Sequence, residues 1–120
     1  MSEFAITADT EDRLLRVTTT GQHSVEGALA LNLAIKRACK EHTIDRVLCQ
    51  LHHEPTQRVF AFEQFHVIET IGFDPATRVA YVVEDEDECR NYELLCALIN
   101  RSKLFQARTF MDQNEAESWL

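Results

Sequence analysis

Residues 78–88 read RVAYVVEDEDE. Val79, Ala80, Tyr81, Val82 and Val83 are apolar without alternation, and most are β-branched or aromatic. A strand with those properties is buried on both faces, as central parallel strands are. The acidic run follows at once. Asp85-Glu86-Asp87-Glu88 has the D-x-x-E spacing of a capping box, which predicts a helix from about Glu86 to Ser102. A buried strand running straight into a helix is half of a βαβ unit, so the chain is expected to be α/β with a mostly parallel sheet.

The same reading extends outward in both directions. Upstream, RVLCQL (46–51) is a second short buried strand. Gln57 to Ile71 reads as a helix that ends at Gly72. Ser24 is a good N-cap for a long helix through about Glu41. Before it, RLLRVTTT (13–20) reads as a strand on β-propensity and stops at Gly21. Phe4 to Thr7 alternates weakly and is expected to pair antiparallel with it through a turn around Asp9 to Asp12. Downstream, Ala107 to Phe110 is a last short strand, and Asp112-Gln113-Asn114-Glu115 opens a terminal helix with the same capping spacing. Ala116, Trp119 and Leu120 fall on one face of that helix, so the end of the chain is expected to dock on the core. The expected order is ββαβαβαβα, a mixed five-stranded sheet with helices packed on it.

The bulk properties limit the function. A chain of 120 residues suits one domain spanning 1–120 with a real core. The net charge of −8, from 12 basic and 20 acidic residues, disfavours nucleic acid and anionic membrane as partners. No apolar run approaches the ~20 residues needed to span a bilayer. The segment MSEFAITADTEDR lacks the basic and apolar regions of a signal peptide, which leads to an expectation of a cytoplasmic protein without membrane insertion. Four cysteines sit far apart with no C-x-x-C, as reduced thiols inside apolar segments do. Three glycines leave little material for a phosphate-cradling loop, and no nucleophile elbow or dinucleotide fingerprint is present. No cofactor, metal or catalytic residue is expected.

The element order, the strand RVAYVV, the segment NRSKLFQARTF and the ending DQNEAESWL together resemble the STAS-like proteins of the SpoIIAA-like fold, in particular small stand-alone bacterial members. The most specific part is Ala107-Arg108-Thr109-Phe110 followed by Asp112, Glu115, Ala116, Trp119 and Leu120. The resemblance implies regulation and protein–protein interaction rather than catalysis. Better-understood members carry a phosphorylatable serine in an Asp-Ser pair just after the strand matching RVLCQL. Here that place reads Gln50-Leu51-His52-His53-Glu54-Pro55-Thr56, so Thr56 is the one hydroxyl that a phospho-switch would use.

Several surfaces carry alternatives. His52, His53 and Glu54 lie at the carboxyl end of a central strand, near the acidic run that includes Asp85, and form a candidate binding edge. A metal-dependent hydrolase would use His52, His53, Glu54 and Asp85, but strand alternation places Leu48, Gln50 and His52 on one face and Cys49, Leu51 and His53 on the other. A polar strand-end loop is the simpler reading. Thr56 either caps the following helix or accepts a phosphate, which Arg58 and the helix dipole would favour. On the helices, Leu29, Leu33, Phe62 and His66 fall outside the main apolar arcs, and Val59 is expected beside Phe62. They are core in a wide arc, or a surface for a protein partner or a second copy. Phe60 is placed with Phe65, Ile68 and Ile71 on the buried side. A pocket between helix and sheet lined by Phe60, Phe62 and Phe65 would instead hold a small molecule or lipid.

Overall fold

The computed structural model describes residues 2–21, 24–53 and 59–120. β1 (Ser2–Asp9) and β2 (Leu14–Gly21) form an antiparallel hairpin in unbroken register from Ser2↔Gly21 to Asp9↔Leu14. Its turn is closed by the Asp9 carboxylate, which accepts the Asp12 N–H at 3.1 Å, and by Arg13 in the left-handed region at φ 53°. Then come α1 (Val25–His42), β3 (Arg46–His53), α2 (Ala61–Ile71), β4 (Arg78–Val82), α3 (Glu86–Arg101), β5 (Gln106–Phe110) and α4 (Gln113–Trp119). From β2 onward every strand pair is parallel. The expected ββαβαβαβα order and mixed sheet are therefore what the structure has.

The spatial order of the strands is β1-β2-β3-β4-β5, the order of the chain itself. Each parallel crossover steps the same way across the sheet, so α1, α2 and α3 lie in one layer on one face. Leu15, Val17, Val47, Cys49, Val79 and Tyr81 supply that face of the sheet, and Ile35, Ile68, Tyr92, Leu95 and Ile99 supply the helices. Complete burial of Leu15, Leu95 and Ile99 contributes roughly 2 kcal/mol for each side chain. Among the described residues, the opposite face has only α4. There Leu14, Leu48, Ala80 and Phe110 meet Ala116, Trp119 and Leu120. Trp119 lies 5.9 Å from the Phe110 ring, and the Arg78 guanidinium carbon sits 4.5 Å over the indole. Arg46 donates to the Leu120 carbonyl at 2.8 Å. The end of the chain is docked, as its helical spacing predicts.

Three caps follow the sequence. Ser24 accepts the Gly27 N–H and Asp85 accepts the Glu88 N–H. Asp112 also caps its helix, through the Asn114 N–H. α2 departs from expectation. It starts at Ala61 rather than Gln57, because Phe60 is extended (φ −68°, ψ 155°). The Glu63 carboxylate takes the Phe60 N–H at 3.3 Å and sets the first turn there. With residues 59 and 60 outside the helix, helical phase does not apply to them. Val59 is buried at 3% exposure and Phe60 is 64% exposed, the reverse of the helical-wheel expectation.

Candidate functional site

The single-direction strand order removes one familiar site. In doubly wound sheets a crevice opens at the carboxyl edge where the strand order reverses. No reversal exists among the described strands, so the topology supplies no such crevice above β3 and β4. The carboxyl edge still carries the polar groups. β3 continues through His53, and Leu48 lies on the α4 face while Cys49 and Leu51 lie in the helix-side core. The alternation read from the sequence therefore holds along this strand. Gln50 and His52 stand on the α4 face, Gln50 at the first residue of that short helix and His52 farther along the strand. Gln50 bonds Gln113, and the His52 imidazole meets the Glu84 carboxylate. The histidine stretch and the acidic run thus meet, as their neighbouring strand ends suggest, but through Glu84. Asp85 instead uses its carboxylate as the α3 cap. Both His52 and Glu84 are solvent-exposed, and a pair of that kind contributes little to stability.

Of the other strand-end candidates, Glu54 and Thr56 lie outside the described residues, as does the side chain of His53. The cap position of α2 belongs to Phe60, four residues beyond Thr56. Among the described residues, no group of three His, Cys, Asp or Glu side chains is close enough to hold a metal ion.

The helix layer presents the other candidates. Phe62 is 65% exposed, and His66 one turn on is exposed as well. Leu29 and Leu33 of α1 are also exposed. Lys36, on the same stripe of α1, reaches the Ile71 carbonyl at 2.8 Å. That bond turns the Leu29–Leu33 stripe toward α2. On the far side of α2, the Asn91 amide of α3 donates to the Val59 carbonyl at 3.0 Å and accepts the Ala61 N–H at 2.9 Å. Leu94, one turn beyond Asn91, is 45% exposed. Phe60 and Phe62 thus flank the backbone groups that Asn91 holds, Leu94 lies one turn along α3, and Leu29 and Leu33 lie on α1.

Asn91 was not evident in the sequence, nor was the polar group buried nearby. Gln64 is buried and donates to the Val59 carbonyl at 3.0 Å. Glu88 is 4% exposed in the first turn of α3, below Tyr92. Burial, reinforced by Glu88, pushes the Tyr92 phenol upward, so it stays neutral. Within an acidic run nothing distinguishes Glu88 from its neighbours except its helical phase with Tyr92, Leu95 and Ile99.

No family model matches the chain, and no characterised protein matches it in sequence. A solved structure is similar to it in fold. It is described as an uncharacterized protein from the DUF3478 family with a SpoIIAA-like fold, from Shewanella loihica PV-4. The match has a TM-score of 0.57 at 18% identity and covers 99% of this chain and 93% of that one. The protein has the SpoIIAA-like fold. In this SpoIIAA-like chain, no helix among the described residues is long and apolar enough to cross a membrane. The fold presents three helices to solvent on one side and a half-covered sheet on the other, and the exposed apolar side chains are concentrated on the helices.

Proposed function

We propose that this protein is a non-enzymatic, cytoplasmic interaction domain that takes a protein partner on the outer face of α2 and α3. The observation that carries this reading is the pair Phe60 and Phe62, 64% and 65% exposed around a rigid, hydrogen-bonded helix junction. Two phenyl rings left in water forgo most of their burial free energy, and large exposed aromatics held in one place are what binding hot spots are made of. A single exposed leucine would carry no such weight.

Charge favours a different protein over a second copy. α2 contains no lysine or arginine, and Glu63, Glu69, Glu86, Asp87 and Glu93 stand exposed on α2 and α3 against Arg90 and Arg101 of α3. Two chains of net charge −8 repel, whereas a partner with an apolar anchor and a basic rim is drawn in.

Photo-cross-linking in the cells that express the protein tests this. A photoreactive phenylalanine at position 62 should capture one discrete partner, lost on adding Phe60→Asp. The same group at exposed position 108 on β5 should not capture it. No discrete product from position 62, or the same product from both positions, would end the reading. Phe62→Asp should leave the thermal midpoint unchanged within a degree or two, since the ring supports no core.

A further inference from the structure

A cleft of about 460 Å³ opens at the other edge of the sheet, under the last turn of α1. It meets α2 at the opposite end from the Asn91 junction, since Lys36 bonds Ile71 whereas Asn91 bonds Ala61. Lys36, Cys39 and Lys40 of α1 form one wall. Ile44, Phe73 and Ala76, from the segments that lead into β3 and β4, form the other.

The walls are fixed by backbone bonds. Thr43 ends α1 in the left-handed region at φ 53°, and the Ile44 N–H returns to the Cys39 carbonyl at 3.0 Å, which tucks Ile44 beneath the helix. Arg78 donates its N–H to the Asp45 carbonyl at 2.8 Å, joining the two segments. The turn before β4 closes by Thr77 N–H to the Asp74 carbonyl at 3.0 Å. Phe73 is set edge-on against Phe105 at 5.3 Å. A cleft framed in this way is preformed, and its volume falls within the range of ordinary small-molecule sites.

Its chemistry is two-sided. The floor is apolar, and Cys39 adds to it as a neutral thiol, since burial first and then Asp45 push it up to about 11. The mouth on the α1 side has two ammonium groups one turn apart. Lys36 is held across the opening by its bond to the Ile71 carbonyl, which uses one of its three donors. Lys40 makes no ion pair among the described residues. Asp45 and Asp74 stand on the loop rim, and Asp74 is tied to the Ala76 N–H at 2.8 Å. Those carboxylates repel an anion from the loop side and leave the lysine side as its seat.

We infer that this cleft binds a small amphipathic anion, with an aromatic or short aliphatic body on Ile44, Phe73 and Ala76 and its anionic head at Lys36 and Lys40. The probe is 8-anilinonaphthalene-1-sulfonate, followed by fluorescence, with 3-phenylpropanoate as competitor. The wild-type chain should bind the dye saturably at one site and release it to the competitor. Ala76→Trp should abolish that site by filling it. Lys40→Glu should weaken binding about tenfold, as loss of one charge-assisted contact does. Phe62→Asp should leave it unchanged, so that failure here is separate from failure of the partner surface. Binding that survives Ala76→Trp, or that falls with Phe62→Asp, would overturn the assignment. Should Ala76→Trp not fold, amide chemical shifts of the wild-type protein decide. With 3-phenylpropanoate they should move at Cys39, Ile44, Phe73 and Ala76, and no movement there would be equally decisive.

Discussion

The side-chain amide of Asn100 bonds both backbone groups of Ala107. It donates to the carbonyl at 2.8 Å and accepts the N–H at 3.0 Å. β5 is the last strand of the sheet, so these groups lack a strand neighbour on that side. Asn100 acts there as a one-residue substitute for a sixth strand, supplied from the end of α3. Asn91 treats Val59 and Ala61 in the same way on the opposite flank of the helix. α3 is thereby clamped at both sides by amides that mimic a peptide group.

Removing the edge clamp should be measurable. Asn100→Ala leaves two backbone groups to water and should destabilise the protein by about 1–2 kcal/mol. Urea unfolding followed by circular dichroism should show a lower midpoint with an unchanged slope, because the surface exposed on unfolding stays the same. Asn100→Asp keeps one acceptor for the Ala107 N–H and should recover part of the loss.

The hairpin turn sets a pH dependence. The Asp9 carboxylate is held below its ordinary value, first by the Asp12 N–H and also by Arg16. A depressed pKa gives stability that is complete above the unfolded value, near 3.8, and is lost as pH falls through the folded value. The stability of the wild-type protein should therefore decline below about pH 4. Asp9→Asn should start lower at pH 7 and show a shallower acid slope. Thermal midpoints between pH 2.5 and 7 check both.

The thiols should be sluggish. Burial pushes Cys39, Cys89 and Cys96 up to about 11 and Cys49 higher still. Cys89 also donates to the Glu93 carboxylate, which disfavours its thiolate further. At pH 8 a thiol near 11 carries about a hundredth of the thiolate of an ordinary cysteine. Iodoacetamide should therefore alkylate the folded chain about a hundredfold more slowly than an unfolded one. Mass spectrometry over a time course at pH 8, with and without urea, measures the ratio.

Among the described residues α4 is the only helical cover on its side of the sheet, and Trp119 is its anchor. Trp119→Ala should cost about 2–3 kcal/mol, less than for a fully buried tryptophan since the ring is only partly buried. Trp119 is the chain's one tryptophan, so its fluorescence reports on the same contact. Arg78→Ala should alter that emission while disturbing stability less.

Much of this was legible in the residues themselves. The unalternating run Val79–Val83 marks a central parallel strand, Ser24 and Asp85 mark helix starts, and the spacing of Ala116, Trp119 and Leu120 marks a docked terminus. All describe local periodicity or capping, which sequence carries directly. The misread segment was Val59-Phe60. Its side assignment depended on where α2 begins, and that is set by the Glu63 carboxylate, a residue equally at home anywhere in a first turn. Asn91 and Asn100 were invisible for another reason. Each acts on a segment distant in the chain or beyond a turn, and an asparagine in a polar helix gives no sign of which backbone it meets. The cleft was equally hidden, because its lining comes from the end of α1 and two connections that only the sheet brings together.

The strand order has a further consequence, for the birth of the protein on the ribosome. Every strand pairs with the one made just before it, so the sheet can extend in step with synthesis, without waiting for a later strand to insert between two earlier ones. Contacts are kept close in sequence, and for a largely parallel sheet that favours rapid closure. α4 breaks the pattern. Its Glu117 pairs with Arg16 of β2 at 2.7 Å and its Leu120 carbonyl takes the Arg46 side chain of β3, so a helix made late secures strands laid down far earlier.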